Sequence, residues 1–332
     1  VIGTPQLTIE TGTNDAVLDY TSGSGSATLT FNYTVAAGHT SSDLDYTSSS
    51  ALALNGGIIR DGSGNDATVA LPAPAGTGSL AANKALVVDG VAPLLTSVTS
   101  AVADGNYMIG DTIPVSIVFD DTVYSIGTPQ ISLVTSSSGN TLVNYSTGSG
   151  SPVLIFDYVV EGGHESNDLD YTNTSALTLN GGTIKDFSGN NATLTLILPG
   201  NTGSLGNNKD LVVDGIIAAV SGVTSAEIDG YYNIGDTLDI TVSLTETVNV
   251  TGTPQLDLET GSVDHSANYI SGSGSEIITF QYIVQAGDAS LDLFIGKSDP
   301  GAVSGSFGGR NLLLLGDGSG AFIEVSASQL LP

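Results

Sequence analysis

Hydrophobic and polar residues alternate strictly along several short stretches of the chain. In LTFNYTV at 29–35, apolar and aromatic residues alternate with threonine and asparagine, and LDITVSL at 238–244 alternates in the same way. This period of two predicts β-strands with one buried and one solvent-facing side. Clusters of Gly, Asn, Asp, Ser and Pro interrupt the strands at intervals of about 8–12 residues. No helical period lasts longer than a turn or two, so the pattern predicts an all-β fold.

The pattern occurs three times. GTPQL at 3–7 returns as GTPQI at 127–131 and as GTPQL at 252–256, and Phe31, Phe156 and Phe280 lie at equivalent positions. SSDLDY at 41, LNGGIIRDGSGN at 54 and LVVDG at 86 return as SNDLDY at 166, LNGGTIKDFSGN at 179 and LVVDG at 211. Such self-similarity predicts three repeated modules, which we call module 1 (residues 1–90), module 2 (91–215) and module 3 (216–332).

A repeat of this length, with seven to nine short strands, is typical of an antiparallel β-sandwich of the immunoglobulin type. We therefore expect tandem immunoglobulin-like sandwich modules that form an elongated rod. The linkers VVDGVAP and VVDGIIA are too short to behave as flexible coils, so we expect stiff junctions. The predicted core residues are Leu29, Phe31, Tyr33, Ile117, Phe156, Tyr158, Val242, Phe280 and Tyr282.

Module 1 contains no counterpart of residues 91–124, which in module 2 are predicted to hold strands near Leu95–Ala101 and Thr112–Phe119. Two explanations stay open. The chain is a piece of a longer one, or a segment of another copy completes module 1 by strand addition. The divergent tail, with Leu312–Leu315 and Phe322–Val325, is the candidate donor. Such a head-to-tail contact would build open fibres.

The charge balance excludes some classes of partner. The chain has 34 acidic and 6 basic residues, with a net charge of −28. We therefore expect no binding to nucleic acid or to anionic membrane surfaces. No apolar run approaches the length of a membrane span, and the absence of cysteine excludes disulfides and zinc–thiolate sites. The chain begins without an initiator methionine or a signal peptide, so we expect a processed product or a fragment.

Acidic residues recur at equivalent loop positions of the modules, which favours metal binding over random surface charge. Calcium prefers carboxylate, carbonyl and amide oxygens, and an Asp-x-x-Gly-Asn loop supplies all three kinds. At Asp89 and Asp214 the carboxylate could share a cation with loops of the next module. The alternative is that these residues only form Asx-turns. The candidate metal ligands are Asp43, Asp45, Asp61, Asp89, Asp121, Asp168, Asp170, Asp186 and Asp214.

The DGSGN and DFSGN loops, each followed by a strand and a VVDG linker, resemble the tandem bacterial immunoglobulin-like repeats of very large surface adhesins. The resemblance covers about residues 1–285. It implies an extracellular or cell-surface location on a bacterium, a role as stalk or adhesive tip, and calcium at loops and module junctions. The tail, with GDASLDLFIG at 287 and NLLLLGDGSGAFIEV at 311, resembles a partial FG-GAP blade of the integrin-propeller type.

The sequence does not favour an enzyme, because a catalytic carboxylate pair should be unique and these carboxylates recur by module. His39, His164 and His265 form no constellation and are expected to be solvated loop residues. We therefore expect a calcium-stiffened stalk or fibre segment whose partners are neighbouring modules or other copies. The first alternative is a subunit of a filament built by strand donation. The second is a tip that binds a host receptor or a glycan, with Tyr231 and Tyr232 as an aromatic platform.

Overall fold

The computed structural model describes residues 1–136, 139–261 and 263–288, together with the backbone of strands at 313–316 and 322–325. The chain forms two compact units, Val1–Gly215 and Ile216–Pro332. The first unit contains modules 1 and 2, and the second corresponds to module 3. In the described residues neither helix has the length and hydrophobicity that crossing a membrane requires.

Module 1 is built from short strands. A sheet in the order β3–β2–β1–β5 and a separate β4–β6 pair make up its strand structure. The elements are β1 (Gln6–Ile9), β2 (Ala16–Ser22), β3 (Thr30–Phe31), β4 (Thr40–Ser41), β5 (Leu52–Ala53), α1 (Leu80–Asn83) and β6 (Val88–Asp89).

Module 2 has longer strands and more of them. The elements are β7 (Leu95–Ser100), β8 (Gly105–Met108), β9 (Thr112–Ile126), β10 (Gln130–Val134), β11 (Asn140–Thr147), β12 (Ser151–Val159), β13 (Glu165–Ser166), β14 (Leu177–Thr178), β15 (Thr183–Lys185), α2 (Leu205–Asn208) and β16 (Leu211–Asp214). The larger sheet has the order β14–β10–β11–β12–β9–β15, with β7 also paired to β9. The smaller sheet has the order β13–β16–β8, and its β16–β8 pair is parallel.

Module 3 repeats the central part of this arrangement. Its main sheet has the order β17–β18–β21–β20–β19, and two further strands, β22 and β23, pair with each other in antiparallel fashion. The elements are β17 (Val220–Ser225), β18 (Thr237–Val248), β19 (Gln255–Leu258), β20 (His265–Ser271), β21 (Ser275–Ile283), β22 (Leu313–Gly316) and β23 (Phe322–Val325).

The all-β prediction is confirmed, because the only helices among the described residues are two single turns of four residues. The repeated GTPQ motif starts β1, β10 and β19, and its glycine is required by the backbone. Gly127 has a φ of +81°, and a β-carbon there would lie 2.9 Å from the Cα of Gly182. Gly3 makes the same close approach to Gly57. The motif thus brings the start of the strand against the NGG turn of the same module.

The buried apolar side chains form three clusters, one within each of the ranges 1–90, 91–215 and 216–332. Six predicted core residues are confirmed as buried: Ile117, Phe156, Tyr158, Val242, Phe280 and Tyr282. The prediction is wrong for Leu29, Phe31 and Tyr33, which are only half-buried. In module 2 the equivalent strand β12 lies between β11 and β9, whereas β3 pairs with β2 alone. Without a second neighbouring strand, the same sequence pattern buries less surface.

This difference predicts unequal costs for one substitution at two equivalent sites. Phe156→Ala should destabilise module 2 by about 3–5 kcal/mol, because it empties a fully enclosed site. Phe31→Ala should destabilise module 1 by clearly less, because that side chain is already partly exposed to water. Hydrogen exchange on peptides from each module measures the two local opening free energies. Equal losses at the two sites would contradict the difference in packing.

Candidate metal centre

The last strand of module 1 ends against a loop of module 2. Asp89 closes β6, and the loop DFSGN follows β15 at residues 186–190. The hydroxyl of Ser188 donates to Asp89 Oδ2 at 2.7 Å, and the side-chain amide of Asn190 donates to the backbone oxygen of Asp89 at 3.1 Å. These hydrogen bonds attach the end of module 1 directly to the loop.

Three carboxylates meet at this junction. One ligand oxygen from each of Asp89, Asp121 and Asp186 lies within 4.8 Å of the other two. Asp186 is buried, with 4 % of its surface exposed, whereas Asp121 is exposed and Asp89 is intermediate. We call these three residues the junction cluster.

The long strand β9 brings Asp121 to the cluster. Its pairing with β12 shifts register between Ser151 and Val153, so that residues 119–122 lie opposite a single residue of β12. Such a bulge re-aims side chains. Beyond the bulge, β9 pairs with β15, with Tyr124 opposite Lys185. Asp186 follows Lys185 directly, so this pairing places the loop beside Asp121.

The loop itself is held by a set of local hydrogen bonds. Asp186 Oδ1 accepts from the backbone N–H of Asn190 at 2.8 Å, and Oδ2 accepts from the Asn190 side chain at 2.7 Å. Asn190 therefore binds both Asp186 and the backbone of Asp89. Each Asp186 oxygen still has a lone pair for another partner.

The electrostatics of the cluster favour a cation. The ion pairs found among the described residues are Arg60–Asp66, Lys209–Asp104 and His265–Asp288, and none of them involves the cluster. Two like charges about 4 Å apart repel by about 1 kcal/mol in water and by about 4 kcal/mol near a protein surface. A divalent cation bound between the three carboxylates would turn this repulsion into attraction.

The equivalent loop of module 1, at residues 61–65, has the same internal geometry. Asp61 accepts from the backbone N–H of Asn65 at 2.9 Å and from its side chain at 2.8 Å. These hydrogen bonds from Asn65 lower the pKa of Asp61 below its ordinary value. Hydrogen bonding of the Asx type therefore accounts for the shape of the loop, and in module 2 two further carboxylates join it.

Asp45 and Asp170 lie away from the cluster and accept backbone hydrogen bonds. Asp45 Oδ2 accepts from the N–H of Ala75 at 2.9 Å, and Asp170 Oδ2 accepts from the N–H of Gly200 at 3.1 Å. Burial on its own would raise the pKa of Asp45, but hydrogen bonds from Ala75, Tyr46 and Ser79 outweigh it and lower the pKa. These bonds explain a buried carboxylate at Asp45 without an ion.

Asp43 and Asp168 are the outer members of the same two DLDY pairs. Asp43 Oδ1 accepts weakly from the N–H of Leu86 at 3.4 Å. Desolvation raises the pKa of Asp168, and the neighbouring carboxylates of Asp170 and Asp210 raise it further. A β-carbon on Gly206 would lie 3.0 Å from Asp168 Oδ2 and 3.1 Å from Asp170 Oδ2, so both carboxylates border the same small space.

Three of the nine predicted ligands thus come together at the junction. The others lie elsewhere: Asp43 with Asp45 and Asp168 with Asp170 in the two DLDY segments, Asp61 in the equivalent loop of module 1, and Asp214 at the end of β16. Asp214 ends β16 as Asp89 ends β6, and its role as a ligand stays a prediction. Sequence reasoning missed Ser188 and Asn190 as the residues that join the two modules. The signal was present in the repeated SGN of the two loops, but nothing in it showed that the second copy contacts the end of module 1.

The histidines differ from the expectation of solvated loop residues. His39 and His164 are half-buried, and the Nδ1 atom of each lies 2.9 Å from the hydroxyl of Tyr33 or Tyr158. In module 3 Asp288 contacts both Tyr282 and His265. These residues form a polar contact repeated in each module. In the first two modules the histidine lies in a loop, whereas in the third it is the first residue of β20.

The proposed aromatic platform of module 3 is only partly exposed. Tyr231 is 93 % exposed, but Tyr232 packs against the core and its hydroxyl donates to the backbone oxygen of Ile228. A single exposed tyrosine offers one face to a ligand.

Comparison with protein-family models, with curated proteins and with solved structures finds no match. The resemblance to bacterial immunoglobulin-like repeats and to an FG-GAP blade therefore stays a prediction.

Asn190→Ala tests how far the loop holds the junction. The substitution removes the two hydrogen bonds that the Asn190 side-chain amide donates to Asp186 and to the Asp89 carbonyl. An unsatisfied buried acceptor costs about 1–3 kcal/mol. Hydrogen exchange should therefore rise at residues 88–92 and 186–191. The matched control is Asn65→Ala, which opens the equivalent loop of module 1 with no effect on the junction. Equal exchange at 88–92 in both variants would contradict the bridging role of Asn190.

Asp168→Asn tests the repulsion among Asp168, Asp170 and Asp210. Because the pKa of Asp168 is raised in the folded chain, its ionisation costs stability, and the cost grows as the pH rises through that pKa. In calcium-free buffer the variant should therefore unfold at a higher temperature than the wild type at pH 7. The difference in unfolding temperature should disappear in acid, where Asp168 is protonated in both the folded and the unfolded chain. A variant that is less stable at pH 7 would contradict this account.

Proposed function

We propose that this chain is a segment of an extracellular bacterial stalk or fibre, built from immunoglobulin-like modules in tandem, in which Ca²⁺ stiffens the junction between modules. The observation that carries the proposal is the junction cluster. One of its carboxylates belongs to module 1 and the other two belong to module 2.

The donor set fits a hard cation such as calcium better than it fits zinc or copper. All three side chains offer carboxylate oxygens, and backbone carbonyls of the linker and water can supply the remaining ligands of a hard cation. Zinc and copper prefer nitrogen and sulfur ligands, and the chain has no cysteine and only three histidines. Asp89, Asp121 and Asp186 are the residues that would hold the ion.

A cation at this position has a mechanical effect. The linker from Asp89 to Pro93 lies along module 2, where Leu94 donates its N–H to Asp120 Oδ1 at 2.7 Å and Thr193 donates its N–H to the Pro93 oxygen at 2.9 Å. An ion coordinated from both sides would resist bending at Gly90 more strongly than these hydrogen bonds alone. A stalk needs that resistance, whereas a flexible tether does not.

The two alternatives are a filament built by donation of the tail and a glycan- or receptor-binding tip. The contacts of the tail side chains lie outside the described residues, and the tip would rest on Tyr231 alone. Neither alternative has an observation comparable to the junction cluster, and we therefore place the stalk first.

Calcium should raise the stability of the chain and rigidify its first junction. A ligand that binds only the folded state adds about 2.7 kcal/mol at 100 times its dissociation constant. Thermal melts in EDTA and in millimolar calcium should therefore separate by several degrees, and hydrogen exchange at 88–92 should slow with calcium. In the same samples, small-angle scattering should show that the chain samples a narrower range of conformations with calcium than with EDTA.

The discriminating variant is Asp121→Asn, because Asp121 is exposed and accepts only the N–H of Thr122 among the hydrogen bonds described. It should leave stability in EDTA unchanged and abolish the calcium effect at 88–92. Asp61→Asn, in the equivalent loop of module 1 and outside the junction cluster, is the control and should keep that effect. The proposal fails if calcium leaves the wild type unchanged, or if both variants respond to calcium alike.

A further inference from the structure

The turn that follows β12 carries a histidine whose ring nitrogens have defined partners. The backbone N–H of Glu161 donates to His164 Nδ1 at 3.1 Å, so Nδ1 has to be an acceptor without a proton. The hydroxyl of Tyr158 lies 2.9 Å from the same nitrogen and therefore donates to it as well. The other ring nitrogen, Nε2, then carries the proton and donates to Thr141 Oγ1 at 3.2 Å. These contacts fit a neutral ring with its proton on Nε2.

The same turn holds the last residue of module 2. Gly215 donates its N–H to the His164 oxygen at 2.6 Å and accepts from the N–H of Gly163 at 2.8 Å. A β-carbon on Gly215 would lie 2.2 Å from the Glu161 oxygen, so the two backbones are in close contact. We call residues 160–164 the latch turn, because their hydrogen bonds fasten the end of β16 and the start of the linker to the module.

Module 3 has a carboxylate where module 2 has this histidine. In the equivalent turn, residues 284–288, Asp288 Oδ2 accepts from the hydroxyl of Tyr282 and from the N–H of Gln285, the latter at 2.7 Å. These two donors are the counterparts of Tyr158 and Glu161 in module 2. The turn thus repeats its donors from one module to the next and changes only the acceptor.

A second histidine lies beside Asp288 and has the opposite role. His265 Nδ1 is 3.1 Å from Asp288 Oδ1 and 2.9 Å from Thr260 Oγ1. Thr260 donates its hydroxyl proton to the Val263 oxygen, so towards Nδ1 it acts as an acceptor. His265 Nδ1 therefore carries a proton. Asp288 Oδ1 is buried and accepts no hydrogen bond from the residues that the structure describes, so a positive charge on the neighbouring ring stabilises it.

We propose that the latch turn of module 2 is a pH-sensitive switch that opens in acid, and that Asp288 makes the equivalent turn of module 3 resistant to the same change. A proton on His164 Nδ1 would face two donors that then lose their acceptor, so the ring takes up this proton only when the turn opens. An open turn exposes an ordinary histidine, which binds a proton below about pH 6.5. The carboxylate of Asp288 keeps its charge in that range and continues to accept from both donors.

The charged groups near His164 act against the switch more weakly than the two donors act for it. Glu161 lies in the turn itself, Glu165 lies on β13, and Asp214 of β16 is paired with Glu165. All three side chains are exposed, so water and salt screen their attraction for a charged ring. Asp111, just before β9, is half-buried and accepts a backbone N–H at 2.9 Å. The hydrogen bonds at Nδ1 are direct contacts and are not screened in this way.

The pKa values of the neighbouring groups agree with these roles. Burial, together with the charge of Glu161, raises the pKa of Tyr158 to about 12, so its hydroxyl keeps its proton and stays a donor. Burial on its own would raise the pKa of Asp288, but hydrogen bonds from Tyr282 and from a backbone N–H outweigh it and lower the pKa. A carboxylate with a lowered pKa contributes its stability throughout mild acid and loses it only when the pH falls through that pKa.

Hydrogen exchange on the full chain between about pH 7.5 and 5.5, corrected for the intrinsic effect of pH, tests the switch. Opening of residues 161–165 and 213–215 should increase about tenfold for each pH unit below about 6.5, because each opening takes up one proton. Residues 283–288 should show no such increase. His164→Asp should abolish the increase in module 2, because a carboxylate accepts from both donors and stays charged. His164→Asn, with a neutral oxygen acceptor that does not titrate, should abolish it too.

Nuclear magnetic resonance of the ring nitrogens in the wild type locates the protons directly. At about pH 7.5 it should place the proton on Nε2 in His164 and on Nδ1 in His265. A proton on Nδ1 of His164 would overturn the proposal, whether or not the variants fold. Unchanged opening of residues 161–165 across the pH range would also overturn it, as would an increase of equal size in His164→Asp or at residues 283–288.

Discussion

The pairing of β9 with β12 is the interaction on which most of module 2 depends. It gives β12 a paired strand on each side, and it places aliphatic residues of β9 opposite Phe156 and Tyr158. The buried cluster of module 2 is correspondingly the largest of the three. The comparison with module 1 is internal to the chain, since the equivalent Leu29, Phe31 and Tyr33 are only half-buried without that neighbour. Burial in this repeat is therefore a property of the strand pair rather than of either strand.

The same strand also builds the junction. The first part of β9 serves the core, the bulge at residues 119–122 turns the chain, and the last part pairs with β15. Asp121 and Asp186 approach each other because of that second pairing, and Asp89 joins them because the linker is short. Core packing and the candidate ion site thus share one element. A change in the register of β9 would disturb both together.

The strong negative charge of the chain is concentrated in a specific way at the junction between modules 1 and 2. Most acidic side chains are exposed or, like Asp45 and Asp186, satisfied by hydrogen bonds from neighbouring N–H groups. The junction cluster differs because its three carboxylates lie close together across the boundary between two modules. Like charges at this distance repel each other, and a divalent cation between them would turn the repulsion into attraction. In the proposed stalk, a cation bound at this junction would act directly on the contact between modules 1 and 2.

The sequence by itself determined the all-β fold, the threefold repeat and the buried positions of modules 2 and 3, because a period of two specifies which side of a strand faces the core. It also identified Asp89, Asp121 and Asp186 as candidates, through their recurrence in loops. It did not reveal that these three meet while Asp45 and Asp170 bind backbone N–H groups, since recurrence marks equivalent positions without specifying their neighbours. Nor did the alternation at Leu29, Phe31 and Tyr33 reveal that these side chains stay half-exposed. Only the tertiary structure decided both points, because strand partners, register and the bulge in β9 depend on residues far apart in the chain.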